Sequence, residues 1–394
     1  MKEKIKYAGA MLICFIAVLF IRMPVMADDG VPETAWRDNA ATDFAGGSGT
    51  EADPYQITDG AQLAKIAKDV ENGTVYKDAY FRLENDIDLS AHRWNPIGVY
   101  KWYEGGATED RMFAGFLDGN GKTITGLIVD ERTEKNRAGL FGQIAYTGAA
   151  TNVGVKDLNI VDARIYATNE GMEKNSSAIL AGFVMANSGH TIRFDDISVS
   201  GTIVNTKVGD NSMMSGGLFG EANRVTADHC RADVTIEGGD NTGGFVGLDG
   251  SSTYTNCKVT GKVTGLWAIG GFVGYAWEAE SATMSTYDNC IAKVDVVANE
   301  WRAGGFAGYM QKGKSSSCAA LGDVTSSVTG FNPKVGGFAG EIGDKNVTGG
   351  AILEKCYAAG KVTAASPDYK AGGFVGTHTE GTYRSEERRV GKEC

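Results

Sequence analysis

The sequence predicts an all-β protein, a right-handed parallel β-helix (β-solenoid) of glycine-rich repeats with a short N-terminal helical cap. Three observations carry this. Glycine makes up 55 of 394 residues against only 6 prolines, about twice the usual glycine share, which fits neither collagen nor a common disordered linker. A glycine-aromatic phrase recurs eight times, and cysteine and β-branched residues follow it at fixed offsets. Phrases repeated at such periods mark a stacked array.

The first phrase reads Gly139-Leu140-Phe141-Gly142, Gly182-Phe183-Val184, Gly217-Leu218-Phe219-Gly220, Gly244-Phe245-Val246-Gly247, Gly271-Phe272-Val273-Gly274, Gly305-Phe306-Ala307-Gly308, Gly337-Phe338-Ala339-Gly340 and Gly373-Phe374-Val375-Gly376. Successive leading glycines lie 27 to 43 residues apart. Cys230, Cys257 and Cys318 follow a leading glycine by 13 residues, and Cys290 and Cys356 by 19, the difference being a loop insertion. Six residues after each cysteine stands Ile236, Val263, Val296, Val324 or Val362. Each repeat therefore carries a glycine-aromatic, a cysteine and a valine segment, separated by the Gly, Asn, Asp, Ser and Thr of turns. Three short strands per repeat suit one coil of a parallel β-helix, with like residues stacked on like at ~4.8 Å per coil. The paired glycines provide a corner, through positive φ or through close backbone approach. The Phe or Leu that follows is the expected inward filler.

Ahead of the repeats, Ala61 to Val70 has apolar residues at helical spacing, with Asp59 placed as N-cap and Gly73 as stop. A lone helix before a solenoid reads as a cap, since an open sheet edge would pair with other chains. Asp118-Gly119-Asn120-Gly121 is a tight-turn phrase between two strands. The expected organisation is a signal peptide over 1–27, a flexible polar linker over 28–45, the cap and first coils over 46–112, and the repeat solenoid over 113–383. The signal rests on Lys2, Lys4 and Lys6, the apolar run Ala8 to Ile21, and Val25-Met26-Ala27 before Asp28-Asp29. That run is short for a membrane span. Residues 384–394 resemble a translated sequencing adapter, and Ala371-Gly372-Gly373-Phe374 opens a repeat that is not finished, so the natural chain is expected to continue.

The net charge of −11, more acidic still once the two basic ends are set aside, disfavours nucleic acid and anionic membrane as partners. The cysteines occupy a slot held by Leu158 and Ile197 in earlier repeats, which marks them as small buried hydrophobes. Their number is odd and no Cys-x-x-Cys occurs, so five free thiols are expected. His92, His190, His229 and His378 form no His-Glu-x-x-His. The sequence also lacks Gly-x-Ser-x-Gly and a phosphate-cradling loop. Among carboxylates, Asp86 and Asp88 would share a strand face and are weak candidates for a calcium ion, the one cofactor left open; capping and turn bonds are the commoner role. The aromatic residues offer more. Trp267, Trp301 and Tyr369 each lie four residues before a leading glycine, and Tyr275 and Tyr309 four after one. In consecutive coils Trp267 should stack on Trp301, and Tyr275 on Tyr309, giving either a ladder for sugar rings or stabilising stacks between coils.

These phrases, with Asn256-Cys257 and Asn289-Cys290, resemble the GLUG-motif repeats of bacterial surface proteins. The lead-in is similar too: Gly49-Thr50-Glu51-Ala52-Asp53-Pro54-Tyr55-Gln56-Ile57, Leu83-Glu84-Asn85-Asp86-Ile87-Asp88-Leu89, Pro96-Ile97-Gly98, and Phe113-Ala114-Gly115-Phe116-Leu117-Asp118-Gly119-Asn120-Gly121-Lys122-Thr123-Ile124. The resemblance covers roughly residues 46 to 383. It implies a cell-surface, adhesion-type protein, or the front of an IgA-specific metallopeptidase whose catalytic part lies downstream. The resulting expectation is a secreted or cell-surface scaffold, monomeric, that binds an extracellular protein or glycan and has no catalytic centre of its own in this stretch. The alternative is the non-catalytic front of a larger secreted hydrolase.

Overall fold

In the computed structural model, described residues are 30–102, 108–133, 137–145, 152–168, 174–206, 212–277, 283–327, 333–347, 349–365, 370–379 and 381–384. The expected signal peptide lies outside them, as do Tyr369 and residues 385–394. From Pro32 onward the chain is a parallel β-solenoid. Its strands form a 21-stranded, an 8-stranded and a 7-stranded sheet, in which every pairing is parallel. One antiparallel hairpin, Val99–Trp102 with Thr108–Arg111, stands apart.

Each coil is built as its turn residues dictate. In one coil, Asn241–Gly243 belongs to the 7-stranded sheet and Val246–Gly250 to the 8-stranded sheet. Thr253–Thr255 and Lys258–Gly265 belong to the 21-stranded sheet. The glycine-aromatic segment is therefore two strands meeting at a corner, whereas Cys257 stands at the turn between Thr253–Thr255 and Lys258–Gly265, with Val263 in the second of these strands. The corner needs glycine because backbones touch there. A Cβ on Gly243 would lie 2.0 Å from the Val246 carbonyl oxygen, and one on Gly247 would lie 2.7 Å from the Ser215 amide nitrogen. Neither residue has positive φ, so close approach, and not a left-handed backbone, is what excludes a side chain.

The second corner does use the left-handed region. The residue before each slot of the cysteine rung has φ between 51° and 55°: Asp157, Asp196, His229, Asn256, Asn289, Ser317 and Lys355. Asn and Asp tolerate this backbone best, and Asn289 Nδ2 donates to Asn256 Oδ1 at 2.7 Å along the corner. Register confirms the stacked cysteines: Ile197 precedes Ser198, which pairs with Arg231 after Cys230, which pairs with Lys258 after Cys257, and so on through Ile291, Ala319 and Tyr357. All five are free thiols, and the first four are fully buried.

Inside, Phe245, Phe272, Phe306, Phe338 and Phe374 stack in order with centroid spacings of 4.6, 4.9, 4.8 and 5.2 Å. Leu140, Leu180 and Leu218 continue this line toward the front, as their backbone bonds show. Gly182-Phe183 is thus not a repeat phrase. Ala181 pairs with Phe219 and Phe183 with Glu221, so the phrase is displaced by three residues and Phe183 points away from the core. Ile179 and Leu180 fill the interior there instead.

The helix expected over Ala61 to Val70 is α1, Gly60–Glu71. Asp59 Oδ1 accepts from the Gln62 amide at 2.9 Å, and Gly73 follows the end with φ 99°. Leu63, Ile66, Ala67 and Val70 close the front of the core over Ile57, Phe81 and Leu89. The stretch 28–45, expected as a flexible linker, is instead built into this cap from Pro32 on. Trp36 lies in a short 3-10 turn, Trp36–Asn39, and its Nε1 donates to the Leu89 carbonyl at 2.9 Å. Phe44 packs 4.7 Å from Tyr55 and 5.6 Å from Phe81. Trp36 and Phe44 give this otherwise polar stretch two large apolar groups that pack against the core.

Candidate functional site

The corner at the paired glycines is concave toward the outside. Side chains that point away from the core on its two strands meet each other: Lys334 and Arg302 on one side, Glu341 and Tyr309 on the other. Outward residues are accordingly hidden, with Gln143, Leu248, Tyr309 and Glu341 on the 8-stranded sheet and Asn241 and Arg302 on the 7-stranded sheet all below 9% exposed. The result is a groove that runs along the solenoid axis.

In the middle of this groove the sequence-predicted aromatics assemble around a residue that sequence reasoning did not name. The Arg302 guanidinium lies 4.3 Å from the Trp267 ring, 4.7 Å from Trp301 and 4.5 Å from Tyr309. Its Nε donates to Glu341 Oε2 at 2.5 Å, and Lys334 Nζ to Glu341 Oε1 at 2.5 Å. Arg302 Nη1 is buried with no oxygen acceptor; ring faces cover it, and a cation held over aromatic faces is attracted by their quadrupoles. The signal was in the spacing: Arg302, Lys334 and Lys370 each stand three residues before a leading glycine, and share a rung.

Tyr275 and Tyr309 stack as expected, 4.9 Å apart and 9° from parallel. Trp267 and Trp301 do not. Their rings meet edge to face at 89°, 6.2 Å apart, because Arg302 occupies the space that a stacked pair would fill. Tyr275 Oη donates to Gln311 Oε1 at 2.9 Å and Tyr309 Oη to Asp344 Oδ2 at 3.0 Å. Burial pushes the Tyr275 phenol up to about 12. The accepting Asp344 is half-buried, and its bond from the Asn346 amide holds its carboxyl below the usual range. Trp301 differs from the rest of the cluster in being 41% exposed. Tyr369 falls outside the described residues.

Asp86 and Asp88 do not converge. Asp86 Oδ1 accepts from the Thr123 amide and Asp88 Oδ1 from the Ser90 amide, at 2.8 and 2.9 Å. Among the described residues no three His, Cys, Asp or Glu side chains come together for a metal ion. Each thiol of the cysteine rung faces two backbone carbonyls. Cys257 Sγ, for example, is 3.5 Å from the Ala227 oxygen and 3.3 Å from that of Thr255, which ties the rung to the left-handed corner.

One buried feature had no sequence signal. Asp249 is fully enclosed in the core and accepts from Tyr254 Oη at 2.8 Å and Tyr287 Oη at 2.6 Å. Burial raises its pKa, opposed by these hydroxyls and by Ser285 and Ser252.

No family model matches the chain. It is 29% identical over 191 residues to Halomucin of Haloquadratum walsbyi, covering 47% of this chain and 2% of that protein. It is 31% identical over 150 residues to a Gly-rich membrane protein of Evansella cellulosilytica, covering 36% of this chain and 15% of the relative. The chain thus spans a small part of either relative's length. Among solved structures, an immunoglobulin A1 protease-like chain from Bacteroides ovatus aligns over 87% of each chain at 17% identity with a TM-score of 0.46. Among the described residues no helix is long and apolar enough to cross a membrane.

Proposed function

We propose that the chain is an exported, surface-displayed binding scaffold, and that its concave groove takes a carbohydrate on the aromatic cluster around Arg302. The observation that carries this is Trp301. In a groove whose other outward side chains are hidden or half-buried, this indole is 41% exposed and is held from one side by the Arg302 guanidinium. An immobilised indole with an accessible surface suits the apolar C–H face of a sugar. Glu341, Lys334, Asp344 and Gln311 lie beside the cluster and supply donors and acceptors for hydroxyl groups. The acidic surface, and relatives that include a membrane protein by name, support display outside the cell.

The test is a glycan array with wild-type protein and the variants Trp301→Ala and Trp267→Ala, each checked for native circular dichroism. A stacking contact of ~0.5–1.5 kcal/mol corresponds to roughly a three- to tenfold loss of affinity for Trp301→Ala. Folded variants that keep all wild-type binding would remove the proposal, as would wild-type protein that binds no glycan.

A further inference from the structure

A second hollow lies on the outer face of the 21-stranded sheet, over the first coils and away from the groove. We infer that it is a binding trough for a neutral oligosaccharide about three sugar units long. Its floor comes from the rung Tyr80, Phe116, Gly154 and Arg193, successive partners in parallel register. Further along, the same rung reads Thr226, Thr253, Thr286 and Lys314, the small or charged residues suited to a solvated sheet face. Tyr80 and Phe116 break that pattern. Both point away from the core, both are half-buried, and their rings lie 5.7 Å apart at 36°.

Two features turn this pair into a site. The next rung residue is Gly154, where a Cβ would stand 2.2 Å from the Arg193 carbonyl oxygen. No side chain fits there, so none covers the Phe116 ring from that side. The trough is also walled. The loop 48–54 is fixed by the Ser48, Gly49 and Thr50 amides, all donating to the Asp53 carbonyl, and the Gly49 carbonyl accepts from the Tyr80 amide at 3.0 Å. Asn152 Nδ2 donates to Tyr80 Oη at 2.6 Å and locks that ring. The enclosed space is about 430 Å³, within the range of small-ligand sites, and is shaped before any ligand arrives.

Length and charge identify the ligand class. From Tyr80 to Arg193 the floor spans three coil steps of ~4.8 Å, roughly 14 Å; one hexopyranose is about as long as one step. The charged lining residues are Glu51, Asp118, Lys156, Arg193 and Asp195. Lys156 pairs with Asp118 at 3.2 Å and Arg193 with Asp195 at 2.9 Å. No excess of cations remains to hold a polyanion, while the paired groups still offer donors and acceptors to hydroxyls. Aromatic rings under an uncharged, hydroxyl-rich chain are the complementary arrangement.

The experiment uses the full chain carrying Trp301→Ala, so that the groove is silent and the two sites are judged separately. Calorimetric titration with the mono-, di-, tri- and tetrasaccharides of cellulose, mannan and chitin is compared with trigalacturonate. At least one neutral series should bind, with affinity rising to the trisaccharide and then levelling. Phe116→Ala and Tyr80→Ala, both at outward positions, should each lower that affinity at least tenfold, and trigalacturonate should bind at least tenfold more weakly than the neutral trisaccharide. The inference is overturned if no neutral series binds at millimolar concentration, if both variants keep wild-type affinity, or if trigalacturonate binds best.

Discussion

Replacing Phe306 by alanine tests the central physical claim, that like residues stacked on like supply the stability of the coils. Phe306 is fully buried, with Phe272 at 4.9 Å and Phe338 at 4.8 Å, both within 5° of parallel, and Tyr287 edge-on at 5.7 Å. A buried Phe→Ala change costs about 3–5 kcal/mol through lost transfer energy and the cavity left behind. The two stacked pairs and one edge pair, at ~0.5–1.5 kcal/mol each, belong inside that sum and place Phe306→Ala toward its upper end. Phe374 makes the control. It occupies the same rung but is half-buried, with one stacked neighbour at 5.2 Å and 27°. Water can fill the space it leaves, so Phe374→Ala should cost about 1–2 kcal/mol. Because repeats couple to nearest neighbours, Phe374→Ala should act mainly through the coil of its stacked neighbour Phe338, whereas Phe306→Ala should weaken coils on both sides. Urea unfolding followed by far-UV circular dichroism gives the magnitudes, and amide hydrogen exchange gives the location. Equal costs for the two variants, or a cost below about 1 kcal/mol for Phe306→Ala, would refute the stacking argument.

Three further outcomes are expected. Gly270→Ala should prevent native folding or cost more than ~4 kcal/mol, since its Cβ would stand 2.0 Å from the Val273 carbonyl oxygen; Gly121→Ala, at φ 69° with nothing within 4 Å, should cost only ~1–2 kcal/mol by thermal unfolding. Burial raises the Asp249 pKa, so its contribution to stability is full below the ordinary carboxylate value of about 4 and is lost as pH rises toward its folded value; wild type should therefore lose stability relative to Asp249→Asn over that rise, and parallel stability curves would exclude the effect. Cys230, Cys257, Cys290 and Cys318 are fully buried, so they should resist a thiol reagent in native protein and react after unfolding, a result that a disulfide anywhere in the rung would contradict.

What the sequence disclosed follows from which interactions impose spacing. The cysteine rung was legible because the corner recurs 13 or 19 residues after a leading glycine, and because the β-branched residue six places on faces the same core. The inward Phe was legible because two backbones touch at the paired glycines. Asp59 and α1 were legible from capping and apolar period alone. Misreadings arose where a phrase occurs without its context. Gly182-Phe183 has the right letters but lies three residues out of register, and only the parallel pairing reveals it. Trp267 and Trp301 have the right spacing for a stack, yet Arg302 beside them competes for the same ring faces. Asp249 left no mark, since its partners Tyr254 and Tyr287 sit in two different coils and a single carboxylate creates no period. Residues 32–45 looked like a linker because composition reports the average, whereas Trp36 and Phe44 decide the packing.

The division between inner and outer rungs bears on where function can reside. An inner rung is held to a few apolar residue types because each member packs on the member before and after it; Leu140, Leu180, Leu218 and the five phenylalanines show how narrow that choice is. An outer rung does not have to fill the core, and on the solvated sheet faces changes cost little. The groove rung runs Gln143, Phe183, Glu221, Leu248, Tyr275, Tyr309, Glu341 and Thr377, eight coils with six residue types. Variation along an outer rung is then information, not noise: a departure that also brings large aromatic surface toward solvent gains little for folding and must be explained by something else. Tyr80 with Phe116 on the sheet face and Trp301 with its neighbours in the groove are two such departures. They lie on different sheets and in different coils, so a single chain can present two separate contacts while the stacked interior holds the spacing between them.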